Sequence, residues 1–381
     1  MLTRPRIDLR ARLNHLDDVD WDFSTSRSQS PFSSLHWHPS RYPSQIPAVL
    51  IGALSEPGEI VLDPFIGSGT TGVEAQRLDR TCIGIELNPV AALMARAKTL
   101  PLDSKQVRRV VDRVRILVRQ SAKRAAVPPS VQSQKWYTPR TLNELRKIKS
   151  CIADLRGEGR ILAEAAFSAI LYPVCRETRH WGYVCDNTEP KQDYERDVVQ
   201  LYDKVLAGFA EAYEARDDYR NRSNRGTSIA SEVTILEGDA KTHLDAHSIG
   251  RVQLIVTSPP YFGVADYVKA QRLTLEWQGI EIEPLRQKEI GARSKRRRLV
   301  AAEEYLADCK RVFDSCRDVL DKGRACAVVF GESGERAPMN EKFEQLVESC
   351  GFKLAYKRSR KISTGRRLNP SLQTEHLLIF L

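Results

Sequence analysis

A glycine-rich turn that joins a predicted strand to a predicted helix constrains the fold of this chain more than any other feature. Residues 59–63 have the apolar character of a buried strand, and a helix is expected to begin near Thr70. The turn between them carries three glycines in the spacing Gly-x-Gly-x-x-Gly: Gly67, Gly69 and Gly72. Glycines at such a turn let the backbone approach a bound ligand closely. The turn therefore predicts a ligand site at the end of the first strand.

The alternation of strand and helix continues along the chain. A second strand is predicted at residues 81–86, and Asn88-Pro89 has the residues of a helix cap and a first helical turn. Later strands are predicted at residues 233–236, 252–256, 326–330 and 376–381. Because strands joined by helical crossovers pair in parallel, we expect an α/β fold with a mostly parallel, twisted sheet.

Between these two groups of strands the chain has the periodicity of helices only. Apolar residues recur at helical spacing in residues 107–118, 138–152, 161–172 and 198–209. We therefore predict three parts: a polar arm at residues 1–30, a sheet domain at residues 31–102 and 231–381, and an all-helical insertion at residues 103–230.

Composition narrows the classes of protein. Lys and Arg number 59 against 49 Asp and Glu, a formal net charge of +10, which favours a polyanion such as nucleic acid as partner; a merely basic enzyme is the alternative. No apolar stretch approaches the roughly 18–20 residues that span a bilayer, and the first residues are too charged for a signal peptide. Eight cysteines without a Cys-x-x-Cys pair suit reduced thiols. We expect a cytoplasmic, nucleoid-associated protein without a membrane partner.

The acidic residue that begins the turn separates its possible ligands. Nicotinamide dinucleotide enzymes share this glycine-rich geometry. Whichever ligand binds, Glu86 at the end of the second strand can accept hydrogen bonds from its ribose hydroxyls. A carboxylate at Asp63 aimed into the turn would repel a pyrophosphate, but it suits a ligand with ammonium and sulfonium groups, such as S-adenosylmethionine. No Lys follows the second glycine, so the turn is not a phosphate-binding Walker loop.

A second motif, Thr257-Ser258-Pro259-Pro260-Tyr261, directly follows the predicted strand at residues 252–256. Two consecutive prolines have a fixed φ and no N–H, so the backbone is rigid and its carbonyls are available as acceptors. Together with the Ser258 hydroxyl and the Tyr261 ring, they suit a planar, amino-bearing base drawn out of its helix. Ligands of open α/β sheets bind at the carboxyl ends of strands, so both motifs are expected at one edge of the sheet.

Through these motifs the sequence resembles the S-adenosylmethionine-dependent DNA amino-methyltransferases of the cytosine-N4 and adenine-N6 type. In that family Asp-Pro-Phe-x-Gly-Ser-Gly-Thr-Thr is the cofactor motif and Ser/Asp/Asn-Pro-Pro-Tyr is the catalytic one. Further resemblances are an extra cofactor motif at residues 35–43, a ribose motif at residues 84–89, a third cofactor motif at residues 237–240 and a weaker echo at residues 374–376.

The resemblance implies a Rossmann-like methyltransferase fold, S-adenosylmethionine as cofactor, double-stranded DNA as substrate and a cognate restriction endonuclease as a further partner. The implied catalytic residues are Ser258, Pro259, Pro260 and Tyr261. The implied cofactor residues are His36, Tyr42, Asp63, Phe65, Gly67, Ser68, Gly69, Thr70, Thr71, Glu86, Leu87, Asn88, Asp239 and Ala240. His36 and His38 have no Cys or carboxylate cluster around them, so no metal is expected.

The residue before Pro-Pro-Tyr predicts the target amine. Serine at position 258 is the form typical of cytosine-N4 enzymes in that family, so N4 of cytosine is the expected acceptor. Four alternatives stay open: an adenine-N6 DNA methyltransferase, an RNA base methyltransferase, a non-catalytic DNA-binding subunit and a dinucleotide oxidoreductase. The helical insertion is the candidate target-recognition region.

Basic residues are the candidate DNA contacts. A basic run beyond the catalytic motif contains the candidate phosphate contacts Arg293, Lys295, Arg296, Arg297 and Arg298, and a solvated face is the alternative. In the insertion, Trp136 and Arg140, like residues 179–183, combine aromatic rings with basic groups, which would suit wedging a duplex or packing a helical core. A second basic group comprises Arg358, Arg360, Lys361, Arg366 and Arg367.

Overall fold

The computed structural model describes residues 9–23, 30–33, 35–36, 42–126, 131–177, 184, 188–222, 231–333, 339–362 and 372–381. In these residues seven strands form one sheet: β1 (Ile60–Asp63), β2 (Thr81–Glu86), β3 (Val233–Glu237), β4 (Val252–Thr257), β5 (Leu320–Ser333), β6 (Leu354–Lys361) and β7 (Leu372–Phe380).

Helices surround the sheet. Across the described residues they are α1 (Leu9–His15), α2 (Gln45–Leu54), α3 (Thr70–Arg77), α4 (Pro89–Lys98), α5 (Ser104–Gln120), α6 (Val131–Trp136), α7 (Pro139–Ala153), α8 (Gly157–Leu171), α9 (Val198–Arg222), α10 (Ala240–His243), α11 (Ala246–Ile249), α12 (Tyr267–Ala270), α13 (Arg272–Gln278), α14 (Ile282–Lys288), α15 (Ala301–Val319) and α16 (Met339–Ser349). Short 3-10 helices lie at Leu16–Asp18 and Arg293–Lys295.

The strand order is β3-β2-β1-β4-β5-β7-β6. The first five strands run parallel, and β7 lies antiparallel between β5 and β6. This arrangement confirms the predicted α/β class with a mostly parallel sheet. The carboxyl ends of β1, β2 and β4 therefore meet at one edge, where both predicted motifs begin.

The central strands are buried on both faces, which explains their continuous apolar sequence. Val61 and Leu62 of β1 and Leu254 and Ile255 of β4 are all fully buried. One face packs against α15 and α16, and the other against α1, α2 and α3. Packing on both faces holds the strands in place, and the strands in turn hold the loops at the carboxyl edge of the sheet in position.

The prediction of a polar arm at the start of the chain is wrong for the described part of it. Leu9, Leu13 and Leu16 follow helical spacing and are buried against the sheet, as is Trp21. The indole Nε1 of Trp21 donates to the Leu16 carbonyl at 3.2 Å and to the Tyr356 hydroxyl at 3.3 Å. Residues 1–8 and 24–29 lie outside the described residues.

The described part of residues 103–230 contains the helices α5 to α9. Asp103 closes a capping box at the start of α5, and the Thr138 side chain caps α7. The buried apolar side chains of these helices form one hydrophobic cluster. This cluster also includes residues from outside the insertion, among them Leu93 of α4 and Trp277 of α13. The predicted boundaries at residues 103 and 230 therefore separate regions that share one core.

The described part of the second predicted basic group is divided between surface and core, with Arg358 and Lys361 exposed. Its first three residues lie on β6, a strand that the sequence reading missed because basic residues obscure its alternation. Arg360 is buried, and Arg358 pairs with Asp17. Arg366 and Arg367 lie outside the described residues.

The described cysteines and helices add two plain observations. Seven cysteines are free and buried: Cys82, Cys151, Cys175, Cys309, Cys316, Cys326 and Cys350. Within the described ranges, no helix combines the length and the apolar character needed to cross a membrane.

Candidate active site

A pocket at the carboxyl edge of the sheet brings most of the predicted site residues together. Its walls are the glycine-rich turn, the end of β2, the start of α10, the Ser-Pro-Pro-Tyr motif and parts of residues 267–290. The predicted residues that line it are Tyr42, Phe65, Gly67, Ser68, Thr70, Glu86, Leu87, Asn88, Asp239, Ala240, Ser258, Pro259, Pro260 and Tyr261. The cofactor and catalytic motifs therefore face one cavity.

Glu86 ties the end of β2 to the glycine-rich turn. Its Oε2 accepts the N–H of Gly67 at 2.9 Å, and its Oε1 accepts the N–H of Asn88 at 2.7 Å. Burial raises the pKa of Glu86 to about 7, while these two N–H groups oppose the shift. Each oxygen keeps a second acceptor position, so the carboxylate can still bind two neighbouring hydroxyl groups of a ligand.

Asp63 lies behind the pocket wall, which corrects its prediction as a residue aimed at the ligand. Its side chain is fully buried, and Oδ1 accepts the Thr257 hydroxyl at 2.6 Å and the Phe65 N–H at 3.0 Å. Oδ2 accepts the Thr71 hydroxyl. The carboxylate thus joins the glycine-rich turn to the strand that precedes the catalytic motif. The structure supports a positioning role for Asp63.

Two further predicted cofactor residues shape the turn from behind. Thr71 is buried, and its hydroxyl contacts both Asp63 and the Tyr42 hydroxyl. Gly69 has a φ of 88°, and a Cβ on it would lie 2.8 Å from the Ala95 Cα. Only glycine fits this position, because α4 passes directly behind it.

The buried state of Asp63 predicts a pH dependence of stability. Burial raises its pKa from 3.8 to about 6. The Asp63 carboxyl group therefore binds a proton more tightly in the folded chain than in the unfolded chain. The contribution of Asp63 to stability is therefore complete below about pH 4 and is lost as the pH rises through about 6, a change of about 3 kcal/mol.

Replacing Asp63 by asparagine should remove that component. Urea unfolding of the wild type and of Asp63→Asn between pH 4 and pH 7 measures it, and the wild-type free energy of unfolding should fall more steeply. Parallel curves for the two proteins would show that Asp63 carries no raised pKa.

Asp239 begins the short helix that closes one side of the pocket. Its Oδ1 accepts the Lys241 N–H at 3.0 Å, and its Oδ2 lies 3.7 Å from the Lys241 Nζ. Lys241 also lies 3.3 Å from Asp308 on α15. These contacts fix the Asp239 carboxylate at the pocket wall.

The catalytic motif presents a rigid set of polar groups. The Ser258 hydroxyl donates to the Tyr261 hydroxyl at 3.2 Å, and the Tyr261 hydroxyl donates to Glu375 Oε1 at 2.9 Å. The Pro260 carbonyl accepts the Tyr305 hydroxyl at 3.0 Å. Within the described residues the Pro259 carbonyl accepts no hydrogen bond. The Ser258 oxygen and the Pro259 carbonyl can therefore both accept from a ligand.

Two acidic residues of the site escaped the sequence reading. Glu289 lines the pocket and accepts the N–H of Tyr267, and burial raises its pKa to about 7. Glu375, which the sequence marked only as a weak motif, contacts Tyr261. Glu289 stands in no motif that the sequence reading recognised. Glu375 does not line the pocket itself and reaches the site through its contact with Tyr261.

His36 lies apart from the pocket, in contrast to its prediction. It is buried, and its Nε2 lies 2.8 Å from the Ser168 hydroxyl on α8. Ser168 in turn lies 2.8 Å from the Thr274 hydroxyl on α13. His36 thus joins the insertion to the segment after the catalytic motif. Residues 37–41 of the predicted extra cofactor motif lie outside the described residues.

The candidate DNA contacts divide between core and surface. Trp136 is fully buried in the core of the insertion, which excludes it as a wedge in this conformation and corrects the prediction. Arg140 is exposed and lies 3.6 Å from Glu195 and 3.8 Å from Glu144. Residues 179–183 lie outside the described residues.

The basic run is anchored beside the catalytic motif. The Gly263 N–H donates to the Gly291 carbonyl at 2.7 Å, and the Arg293 N–H donates to the Ala265 carbonyl at 3.0 Å. Within the run, Lys295 and Arg296 donate to backbone carbonyls, and Arg298 pairs with Glu304. Arg297 is exposed. The run therefore lies near the pocket, although several of its charges are already engaged.

The described residues contain no group of three or more His, Cys, Asp or Glu side chains arranged to hold a metal ion.

A family model described as DNA methylase matches residues 8–96. Type II methyltransferase M.SmaI of Serratia marcescens is 42% identical over 80 residues, which are 21% of this chain and 25% of that protein. Type II methyltransferase M.MvaI of Kocuria varians is 24% identical over 236 residues, which are 58% of this chain and 51% of that protein. The chain thus spans about a quarter to a half of the length of these relatives.

Among solved structures, the rRNA methyltransferase aviRa from Streptomyces viridochromogenes is one to which this chain is similar. The similarity covers 93% of each chain at 11% identity, with a TM-score of 0.40.

Proposed function

We propose that the chain methylates an exocyclic amine of a base in double-stranded DNA, and that this amine is N4 of cytosine. The match of residues 8–96 to the DNA methylase family model supports the class of reaction. The family assignment confirms the predicted cofactor, S-adenosylmethionine. The observation that carries the proposal is the shared pocket: Ser258 and Pro259 face the same cavity as Glu86 and Asp239.

The residues present fit this cofactor. Glu86 offers two carboxylate oxygens with acceptor positions left for the ribose hydroxyls, and Asp239 offers an acceptor for the adenine amine. The glycine-rich turn and Tyr42 form the wall beside them. When bound, S-adenosylmethionine supplies an electrophilic methyl group on a sulfonium.

The chain's own residues activate the acceptor. An exocyclic amine on a base is a poor nucleophile because its lone pair is delocalised into the ring. The Ser258 oxygen and the Pro259 carbonyl accept its two N–H groups and draw the nitrogen toward tetrahedral geometry, which frees the lone pair. The consecutive prolines hold these acceptors in place without reorganisation. No cysteine is required as a nucleophile.

The serine at position 258 supports cytosine as the target. Its hydroxyl accepts a hydrogen bond without placing a negative charge beside the sulfonium. Cytosine also has one ring where adenine has two, so it needs less room behind Tyr261.

Mass spectrometry of the product nucleosides tests the proposal directly. The purified protein is incubated with unmethylated DNA and S-adenosylmethionine, and the DNA is digested to nucleosides. We expect N4-methylcytosine from the wild type, and its formation about 10–1000-fold more slowly by Ser258→Ala under the same conditions. Detection of N6-methyladenine alone would refute cytosine as the target base, but the chain would still be a DNA amino-methyltransferase. Methylation of RNA and not of DNA would refute the substrate, and no methylated base from either would refute the activity.

We also propose the helical insertion as the region that recognises the target sequence. It packs against α13, which follows the catalytic motif closely: the Phe167 and Trp277 rings lie 5.4 Å apart, edge to face. Recognition by the insertion would therefore be communicated to the segment beside the pocket. A cognate restriction endonuclease and a nucleoid location belong to the same proposal.

Phosphate contact by the basic run is expected to show in the salt dependence of DNA binding. Arg297 is exposed, and the other exposed member of the run, Arg298, is already paired with Glu304. Arg297→Ala should therefore reduce the slope of log K against log salt by ~0.9. Lys322, exposed at the opposite edge of the sheet, is the matched control: Lys322→Ala should leave the slope unchanged. Equal slopes for the wild type and Arg297→Ala would show that Arg297 faces solvent and contacts no phosphate.

A further inference from the structure

A chain of hydrogen bonds leads from the pocket into the sheet. The Ser258 hydroxyl donates to Tyr261 at 3.2 Å, and Tyr261 donates to Glu375 Oε1 at 2.9 Å. The chain ends at a carboxylate whose other oxygen lies 3.6 Å from the Arg360 Nε. Tyr261 and Arg360 are buried, and the Glu375 side chain is 10% exposed. The three donors and acceptors therefore line up in one direction, away from the ligand.

The sheet is built to hold this chain. Gly331 on β5, Glu375 on β7 and Arg360 on β6 are paired across the three strands, so they lie in one row on one face. Gly331 has no side chain, and the Tyr261 ring occupies the space that a side chain at this position would take. A Cβ at Gly331 would lie 2.2 Å from the Tyr261 Cε2.

We propose that Glu375 is the acceptor of the proton that the target amine loses, and that Ser258 and Tyr261 conduct this proton to it. The proposal rests on the proposed function, because it needs an amine that is methylated in this pocket. It adds proton transfer to the catalytic role that the sequence implied for Tyr261, and it adds Glu375 on β7 as an acid–base residue.

The step balances in atoms and charge. A bond forms between the amine nitrogen and the methyl carbon, and the carbon–sulfur bond of the methyl donor breaks with its electron pair left on sulfur. The surplus amine proton moves to the Ser258 oxygen as the Ser258 proton moves to the Tyr261 oxygen. The Tyr261 proton moves to Glu375 Oε1. Serine and tyrosine end as they began, and Glu375 ends as a neutral carboxylic acid.

The surroundings suit each member of the chain to this task. Arg360 places a positive charge beside the carboxylate that receives the proton, with its Nε 3.6 Å from Glu375 Oε2. Burial, together with the negative charge of Glu375, raises the pKa of Tyr261 well above its usual value. Tyr261 therefore stays a neutral phenol and passes a proton on without holding a negative charge. The exposed part of Glu375 lets the proton leave to water between turnovers.

Two conservative variants test the proposal. Glu375→Gln keeps an oxygen that accepts the Tyr261 hydroxyl but is a far weaker base, and Tyr261→Phe keeps the ring but breaks the chain. Each should lower the single-turnover rate of methylation by about 10²–10⁴-fold, the usual contribution of a general base. The double variant should be no slower than either single variant, and the affinities for DNA and S-adenosylmethionine should be unchanged. A rate near that of the wild type for Glu375→Gln would reduce Glu375 to a positioning residue and overturn the proposal, as would losses that multiply in the double variant.

A second measurement needs no cofactor. Infrared spectra of the protein alone should show a carboxylate band that shifts in Tyr261→Phe and is absent in Glu375→Gln. An unshifted band in Tyr261→Phe would show that the hydrogen bond is missing and would also overturn the proposal. If Glu375→Gln does not fold because Arg360 loses its partner, Tyr261→Phe still gives both readouts. Methylation by the wild type, measured first, separates a failure of this proposal from a failure of the proposed function.

Discussion

Gly331→Ala is expected to lower the kcat of methylation by about 10–1000-fold without changing cofactor affinity. The added Cβ would lie 2.2 Å from Cε2 and 2.5 Å from Cδ2 of the Tyr261 ring. Tyr261 cannot yield in place, because its hydroxyl is tied to Glu375 and its ring packs against Phe330 at 5.9 Å. It must therefore leave its position, and the orientation of Ser258 is lost with it.

The matched control for Gly331→Ala is Gly52→Ala. Gly52 lies on the exposed side of α2, where an added Cβ would have no neighbour within 4 Å. This variant should keep full activity and gain roughly 0.5–1 kcal/mol of stability, the usual preference of a helix interior for alanine. Wild-type kcat in Gly331→Ala would show that the Tyr261 ring lies elsewhere in the working enzyme.

Ser258→Ala should also lower kcat by about 10–1000-fold, with the affinity for S-adenosylmethionine little changed. The hydroxyl accepts a hydrogen bond from the amine chiefly as the nitrogen becomes tetrahedral, so its loss raises the barrier rather than weakening binding. Steady-state kinetics on DNA and calorimetric titration of the cofactor measure the two effects separately. A raised KM with an unchanged kcat would place Ser258 in ground-state binding alone.

Sequence reasoning predicted the sheet because its signals are local. Apolar runs, the Asn88 cap and the glycine spacing each depend on a few neighbouring residues, and the structure contains the elements they predict. The same reasoning missed β6, whose basic residues pair with partners far away in the chain. It also misread residues 9–23 as polar, although four large apolar side chains there are buried.

The site was predicted in its composition more fully than in its geometry. Motif residues such as Glu86 and Ser258 do line the pocket. Asp63 instead faces Thr71 and Thr257. The pairing of β1 with β4, which joins residues about 190 positions apart, places the Thr257 hydroxyl beside it. Glu375 reaches Tyr261 through the pairing of β5 with β7. Contacts of this kind depend on register across the sheet, which no local pattern reports.

The core that the insertion shares with α3, α4 and α13 has a consequence for how the protein melts. The Tyr213 hydroxyl on α9 donates to the Ala97 carbonyl and accepts the Leu100 N–H, both at 2.9 Å, so the insertion is bonded directly to the end of α4. Because the two parts share one buried core, unfolding of either part exposes the side chains of that core to water, so the two parts should unfold together. A calorimetric scan should therefore show one cooperative transition, and excising the helices would leave apolar surface on α3 and α4 in water.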